Sequence, residues 1–305
     1  MTETKKDFID LTQFNKDELI FLIEDGINKK NISSNNGMAS VDEDACAKDK
    51  ILATIFEKPS TRTRFSFETA MYQLGGKTIY ANMSDMQLGR GETIDDTAKV
   101  ISRYVDIAML RTNKHSTLEN FAKNASIPVI NGLTDKSHPC QVLADLITVK
   151  EKIGDIENKS YVWFGPANNM LTSWIHAAQI IGFELRICSP KDYSVDNNLV
   201  SGFPNITTDL DPNDAAKDCD CIITDTWFSM GEDDNDKKRK ILEPYKVDSN
   251  KISMASSDAI FLHCLPAHRG EEVDADVIDG VNSVVWDEAE NRVHAQKSII
   301  RWCLS

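Results

Sequence analysis

Short apolar runs rich in β-branched and aromatic residues recur along this chain with helix-patterned segments between them. That alternation restricts the chain to βαβ construction with parallel strands. In the first half the runs lie at 51–56, 78–81, 106–110 and 128–131; in the second they lie at 161–164, 185–189, 221–224, 260–263 and 283–286. A chain of 305 residues is long for a single core, so the two series predict two domains, each with its own mostly parallel sheet flanked by helices. Apolar Val142, Leu143, Leu146, Ile147 and Ile153 predict a helix over 139–153 joining the halves, and the stretch 154–160 marks the boundary region. The last segment, 289–304, also reads as a helix, and its pattern is compatible with packing on either domain.

The hydrophobic fraction of 41% and charged fraction of 27% are those of a globular protein. A net charge of -14 argues against a nucleic-acid partner, because a phosphate backbone is held by clustered Lys and Arg. Any anionic substrate therefore needs a local basic site. The seven cysteines are irregularly spaced without a CxxC pair, which predicts reduced thiols and neither zinc nor a redox dithiol. The first residues lack the apolar core of a signal peptide and no apolar run approaches a membrane span, so a cytoplasmic location is expected.

The densest chemistry lies at 57–64, Glu-Lys-Pro-Ser-Thr-Arg-Thr-Arg, between the run ending at Phe56 and a helix carrying Phe65, Phe67, Ala70, Met71 and Leu74. Free N–H groups at a helix start, together with the helix dipole, make such a junction an anion site. The hydroxyls of Ser60, Thr61 and Thr63 add donors, and Arg62 can grip a phosphate with a fork of N–H groups. A Ser-Thr pair alone would be read as a helix cap. Two arginines, Arg62 and Arg64, beside three hydroxyls exceed what capping requires.

Further candidates follow other strands, on the carboxyl edge where open α/β sheets bind ligands. Arg111 follows the run 106–110, and His138-Pro139-Cys140-Gln141 opens the joining helix. Donors there could stabilise an oxyanion developing on a carbonyl under attack, although a His before Pro is more often a plain helix-entry residue. The turn 165–170 lacks the glycine spacing of a dinucleotide site. Asp225 could hold an ammonium group or merely cap a turn. Cys264 beside His263 could suggest a thiol nucleophile, but a buried free Cys is usually a small apolar residue, and transfer between two bound substrates needs no covalent intermediate. The charge-dense run 231–240 reads as solvated, or as a mobile segment beside a site.

The stretch 56–68, FEKPSTRTRFSFE, resembles the carbamoyl-phosphate loop of the aspartate/ornithine carbamoyltransferase family. Arg111-Thr112 and VINGLTDKSHPCQVLADL at 129–146 are similar to that family's carbamoyl-binding elements. Asp225-x-x-x-Ser229-Met230-Gly231, His263-Cys264-Leu265-Pro266 and the runs at 265–279 and 284–297 resemble the ornithine branch, and the likeness covers about 8–304 with the motifs in order. The resemblance implies a carbamoyl-phosphate domain at 1–148, with the helix 288–305 packing back on it, an ornithine domain at 149–287, and an active site in the cleft between them. It implies that Ser60, Thr61, Arg62 and Thr63 hold the phosphate. Arg111, His138, Gln141 and Arg292 would face the carbamoyl group, with Cys264 and Leu265 also at the donor site. Asn169, Asp225, Ser229 and Met230 would bind ornithine, with Asp225 and Cys264 flanking its δ-amine. It further implies no metal or organic cofactor, a homotrimer or multiple of trimers, and a neighbouring subunit's contribution from 87–92, Gln87 included. The expected reaction converts carbamoyl phosphate and L-ornithine to citrulline and phosphate. A carbamoyltransferase for putrescine or a related amine, and a non-catalytic carbamoyl-phosphate sensor, are the alternatives. One departure is visible: Gly165-Pro166-Ala167-Asn168-Asn169 stands where the family often has Gly-Asp-Gly-Asn-Asn, which bears on the turn before Asn169.

Overall fold

The structure, a computed structural model, describes residues 5–33, 37–87, 91–228, 232 and 235–305. It divides into two compact units, 1–147 with 290–305, and 148–289. In chain order the first unit contains α1 (Lys16–Ser33), β1 (Ile51–Phe56), α2 (Thr61–Gln73), β2 (Lys77–Asn82), α3 (Ile94–Ile101), β3 (Ile107–Arg111), α4 (His115–Asn124), β4 (Val129–Leu133) and most of α5 (Pro139–Ile153). The second contains β5 (Ser160–Phe164), α6 (Asn169–Ile181), β6 (Glu184–Cys188), α7 (Asn197–Val200), β7 (Ile206–Thr207), β8 (Cys221–Thr224), α8 (Asp236–Leu242), α9 (Ser249–Met254), β9 (Ile260–His263) and α10 (Ala275–Ile278). The final helix, α11 (Val285–Leu304), runs from the second unit into residues that belong to the first.

Both sheets are parallel throughout. The first has the order β2-β1-β3-β4 and the second β7-β6-β5-β8-β9. Central strands buried on both faces need continuous apolar sequence rather than alternation, which is why 51–56, 161–164 and 221–224, the runs of β1, β5 and β8, were legible without a period-two pattern. In each sheet the connections leave in opposite directions from one neighbouring pair, β1 and β3 in the first, β5 and β8 in the second. At such a reversal the loops diverge and leave a crevice at the carboxyl ends of the strands.

One predicted strand is wrong. Residues 283–286 do not form a strand: Ser283 makes a single bridge to Phe261, and Val285 already begins α11. A four-residue apolar run has too few periods to separate a strand from a helix start. Asp287 and Glu288 in the first turn of α11 complement the positive end of the helix dipole and favour the helix. The two-residue strand β7 was too short to leave a pattern.

A buried ion pair fixes the end of α11 to the first unit. Lys297, on α11, is wholly enclosed and donates to Asp42 Oδ1 at 2.7 Å and to Gln73 Oε1 at 3.1 Å. Burial pulls the Lys297 ammonium below the ordinary lysine range, with Asp42 opposing that shift. Charges removed from water are tolerated only while paired, and removing one partner of a buried pair costs about 3–5 kcal/mol. Asp42→Asn should therefore lower the urea unfolding free energy by that order, and Asp42→Asn with Lys297→Met should recover most of the loss. Equal destabilisation by the single and double variants would contradict this role.

Candidate functional site

Two clusters of chemistry stand at the two strand reversals, one in each unit. In the first unit, β1 ends at Phe56, whose register partner on β3 is Arg111. The two exits therefore lie side by side. The pairing of β3 with β4 shifts register between Leu110 and Arg111, and Arg111 closes the strand rather than following it. Ser60 caps α2: its Oγ accepts from Thr63 N–H at 3.3 Å and lies 3.1 Å from Thr63 Oγ1.

Thr63 Oγ1, buried at the first turn of α2, accepts from Arg111 Nη1 at 2.9 Å and from Arg292 Nη2 at 2.9 Å. A hydroxyl has two lone pairs and one hydrogen. With both lone pairs turned to guanidinium groups and Ser60 Oγ at 3.1 Å, the Thr63 hydroxyl is fully engaged inside the protein. Arg292, on α11, also donates to Gln141 Oε1 at 2.5 Å, and Gln141 Nε2 donates to Asp145 Oδ1 at 2.8 Å. Arg111 and Arg292 are only 7% and 3% exposed. Arg62, half-buried beside them, makes no hydrogen bond or ion pair among the described residues, while Thr61 is exposed at the first position of α2.

His138 enters α5 in the same neighbourhood and is buried. Burial first, then the charges of Arg292, Arg111 and Arg62, hold its imidazole well below the ordinary histidine range, so the ring is neutral. The neighbouring Cys140 is a structural thiol. It donates to Asn131 C=O at 3.2 Å, and burial pushes it up to about 12. Two guanidinium groups sharing one hydroxyl, a third whose charge reaches His138, the Ser60 hydroxyl and a helix N-terminus gather here. Such a set accommodates a dianion with a polar carbonyl attached. Arg64, counted with Arg62 in the sequence, does not join it: Arg64 pairs with Glu68 at 2.9 Å and stacks over Tyr80 at 3.9 Å.

The second cluster lies at the carboxyl ends of β5, β8 and β9. Gly165 follows β5 with φ +123°, a conformation that L side chains rarely adopt. Pro166 and Ala167 do not open the turn, because Ala167 N–H donates to Tyr193 C=O at 2.8 Å. Asn168 caps α6 by accepting from Met170 and Leu171 N–H, both at 3.0 Å, and its Nδ2 donates to Asp225 Oδ2 at 2.8 Å. The amide orientation follows from the cap, since only its oxygen can accept. Asp225 Oδ1 also accepts from Thr226 N–H at 2.8 Å and from the Cys264 thiol at 3.2 Å. Asn169 is the first residue of α6, adjacent to this network.

Beyond β9, Leu265 adopts φ +58°, and its N–H donates to His263 Nδ1 at 2.9 Å. That bond leaves the His263 hydrogen on Nε2, from which it goes to Glu272 Oε1 at 3.1 Å. His263, Asp225 and Cys264 offer donor atoms within 4.8 Å of one another, but both ring nitrogens of His263 are already used. Asn168, Asp145 and Glu272 were not singled out in the sequence, and His263 entered it only as the neighbour of Cys264. Only Asn168 left a signal, as an Asn in capping position after a strand. Ser229 and Met230 lie outside the described residues. Gln87 is exposed, next to 88–90, which are also outside them.

Residues 6–151 match the family model described as the aspartate/ornithine carbamoyltransferase carbamoyl-P binding domain, and residues 157–303 match its Asp/Orn binding domain. The chain belongs to the aspartate/ornithine carbamoyltransferase family. Among its relatives is the ornithine carbamoyltransferase of Caulobacter vibrioides, 50% identical over 97% of this chain and 96% of the relative. That of Nitrobacter winogradskyi is 47% identical over 100% and 99%. Solved ornithine carbamoyltransferase structures share the fold: that from Burkholderia thailandensis has a TM-score of 0.88 at 44% identity, covering 98% of each chain. The Pyrococcus furiosus structure has a TM-score of 0.91 at 43% identity, covering 98% of this chain and 97% of that one. This membership rules out the resemblance being a coincidence of one loop, since both units match along their lengths.

Two measurements test the geometry. Thr63→Val strips the shared acceptor from two buried cations and should cost about 3 kcal/mol in urea unfolding, with Thr63→Ser restoring most of it; a neutral Thr63→Val would contradict the arrangement. His138 is neutral when folded but takes a proton near pH 6.5 when unfolded. The unfolded state therefore binds more protons below that pH, and stability falls as pH is lowered from about 6.5, by at most ~1.4 kcal/mol per unit from this group. His138→Gln should flatten that slope; an unchanged slope would contradict it.

Proposed function

We propose that this chain transfers the carbamoyl group of carbamoyl phosphate to the δ-amine of L-ornithine, giving L-citrulline and phosphate; its relatives carry the name ornithine carbamoyltransferase. The observation that carries the donor half is the convergence of Arg111 and Arg292 on Thr63 Oγ1 beside Ser60 and Arg62. In this reading 1–148, with 288–305, is the carbamoyl-phosphate domain and 149–287 the ornithine domain. Ser60, Thr61, Arg62 and Thr63 take the phosphate. Arg111, His138, Gln141 and Arg292 face the carbonyl oxygen, with Cys264 and Leu265 also contributing at the donor. Asn169, Asp225, Ser229 and Met230 hold ornithine.

The chemistry follows from charge. As the δ-nitrogen attacks the carbonyl carbon, the oxygen becomes an oxyanion. Donors already aimed at it lower the barrier, each by roughly a few kcal/mol. The attacking amine must be neutral, whereas an alkyl ammonium titrates near pH 10 in water. Neighbouring guanidinium charges favour the deprotonated form. A neutral His138 can donate one hydrogen bond without adding a further cation. Asp225, fixed by Asn168, the Thr226 N–H and the Cys264 thiol, is suited to orient the amine. Collapse of the tetrahedral intermediate breaks the C–O bond to phosphate, and the departing phosphate takes the proton lost by nitrogen. The chain's own groups suffice for these steps.

The same reading places the enzyme in the cytoplasm and makes it a homotrimer, or a multiple of one, with Gln87 near a neighbouring donor site. No helix among the described residues is long and apolar enough to cross a membrane. Phe65 and Tyr72 on α2 and Ile79 and Tyr80 on the edge strand β2 are exposed, and such large apolar side chains suit a subunit interface.

Arg62→Ala should abolish most turnover and weaken carbamoyl-phosphate binding strongly while the fold survives; wild-type kinetics would overturn the donor assignment. Asp225→Asn should impair ornithine use far more than donor binding, and an equal loss of both would contradict the division of labour. A citrulline assay run beside putrescine and aspartate as acceptors should show ornithine strongly preferred. Faster turnover of putrescine, or no turnover at all, would favour the other-amine enzyme or the sensor instead.

A further inference from the structure

We propose that the turn at 268–272 in the second unit is a site for one divalent transition-metal ion of the zinc, cobalt or nickel kind, held by His268, Glu271 and Glu272. The turn brings these side chains together because Glu271 N–H donates to His268 C=O at 2.9 Å, and Gly270, at φ +90°, donates to Val273 C=O at 2.8 Å. One donor atom from each of the three side chains lies within 4.8 Å of the other two.

The deciding observation is Glu272. Its side chain is 0% exposed. Oε1 is used twice, by His268 N–H at 2.5 Å and by His263 Nε2 at 3.1 Å. Oε2 is buried without a hydrogen-bond partner among the described residues, and it faces His268 Nδ1 at 3.7 Å. A buried carboxylate oxygen left without a donor is costly, and a ligand is one of the few explanations for it. An ion bound at about 2.0–2.2 Å in tetrahedral geometry sets its donors about 3.4 Å apart. The gap between His268 and Glu272 therefore has to close by only roughly 0.3 Å.

Glu271 pairs with Arg239 at 3.0 Å through Oε1, which leaves its second oxygen for the ion. One imidazole nitrogen with carboxylate oxygens suits zinc, cobalt or nickel better than magnesium or calcium, which prefer all-oxygen shells. With three protein ligands, water fills the remaining position. The competing set, Asp225, His263 and Cys264, would have to break a bond at His263, since Leu265 N–H occupies one ring nitrogen and Glu272 the other. Occupancy at 268–272 also bears on His263, because the carboxylate that would bind the ion is the one that accepts from its Nε2.

Cobalt(II) added alone to the full chain tests the proposal, by equilibrium dialysis and absorption spectroscopy. One cobalt per chain should bind with the strong visible d–d bands of a four-coordinate ion and without the near-ultraviolet charge-transfer band of a thiolate. His268→Gln and Glu271→Gln should each weaken binding by on the order of tenfold or more, while Cys264→Ser should leave it intact. Circular dichroism and the metal-free melting temperature should stay unchanged in His268→Gln, which separates ligand loss from unfolding. Failure to bind cobalt at submillimolar concentration, undiminished binding in His268→Gln, or loss of binding in Cys264→Ser together with a thiolate band would overturn the site.

Discussion

The hydroxyl of Thr63 is the point on which the first unit's chemistry depends. Two guanidinium groups from distant parts of the chain, Arg111 at the end of β3 and Arg292 on α11, are buried and both donate to this one oxygen. Like charges so close repel unless something negative shares their volume. Gln141 passes part of the charge to the carboxylate of Asp145. The rest is a standing preference for an anion at the head of α2. His138 stays neutral chiefly because it is buried, and the charges of Arg292, Arg111 and Arg62 push it the same way.

Strand order makes this convergence possible. In both sheets the connections reverse direction at one pair of strands, and in both the chemistry-bearing residues follow that pair: 57–63 and Arg111 after β1 and β3, then 165–169 and Asp225 after β5 and β8. A parallel sheet leaves few other places where several loops approach one another without covering each other. The first reversal gathers cations and hydroxyls; the second gathers a carboxylate, an amide and a thiol. Their complementary charge suits an anionic donor and a cationic acceptor. Lys297, paired with Asp42, keeps α11 against the first unit and so keeps Arg292 at Thr63.

Much of the fold was legible because buried parallel strands must be apolar without interruption. Residues 51–56 and 221–224 agree with β1 and β8 to the residue. The run 283–286 misled because Val284, Val285 and Trp286 are as apolar as a strand, and the acidic pair that favours a helix start comes only afterwards. Within the site, Arg62 and Arg64 were equivalent in sequence, whereas the helical turn between them sends one to the cluster and the other to Glu68 and Tyr80. Asn168 escaped notice because its two tasks, capping α6 and holding Asp225, require knowing that β5 and β8 are neighbours. Glu272 escaped because nothing in sequence marks a glutamate that will be wholly enclosed.

The most direct test of an anion site preassembled in the first unit is calorimetric titration of carbamoyl phosphate into the chain without ornithine. Saturable binding at one site per chain, competed by inorganic phosphate and weakened by added salt, is expected. Donor binding that appears only after ornithine is present, or that inorganic phosphate leaves untouched, would contradict it.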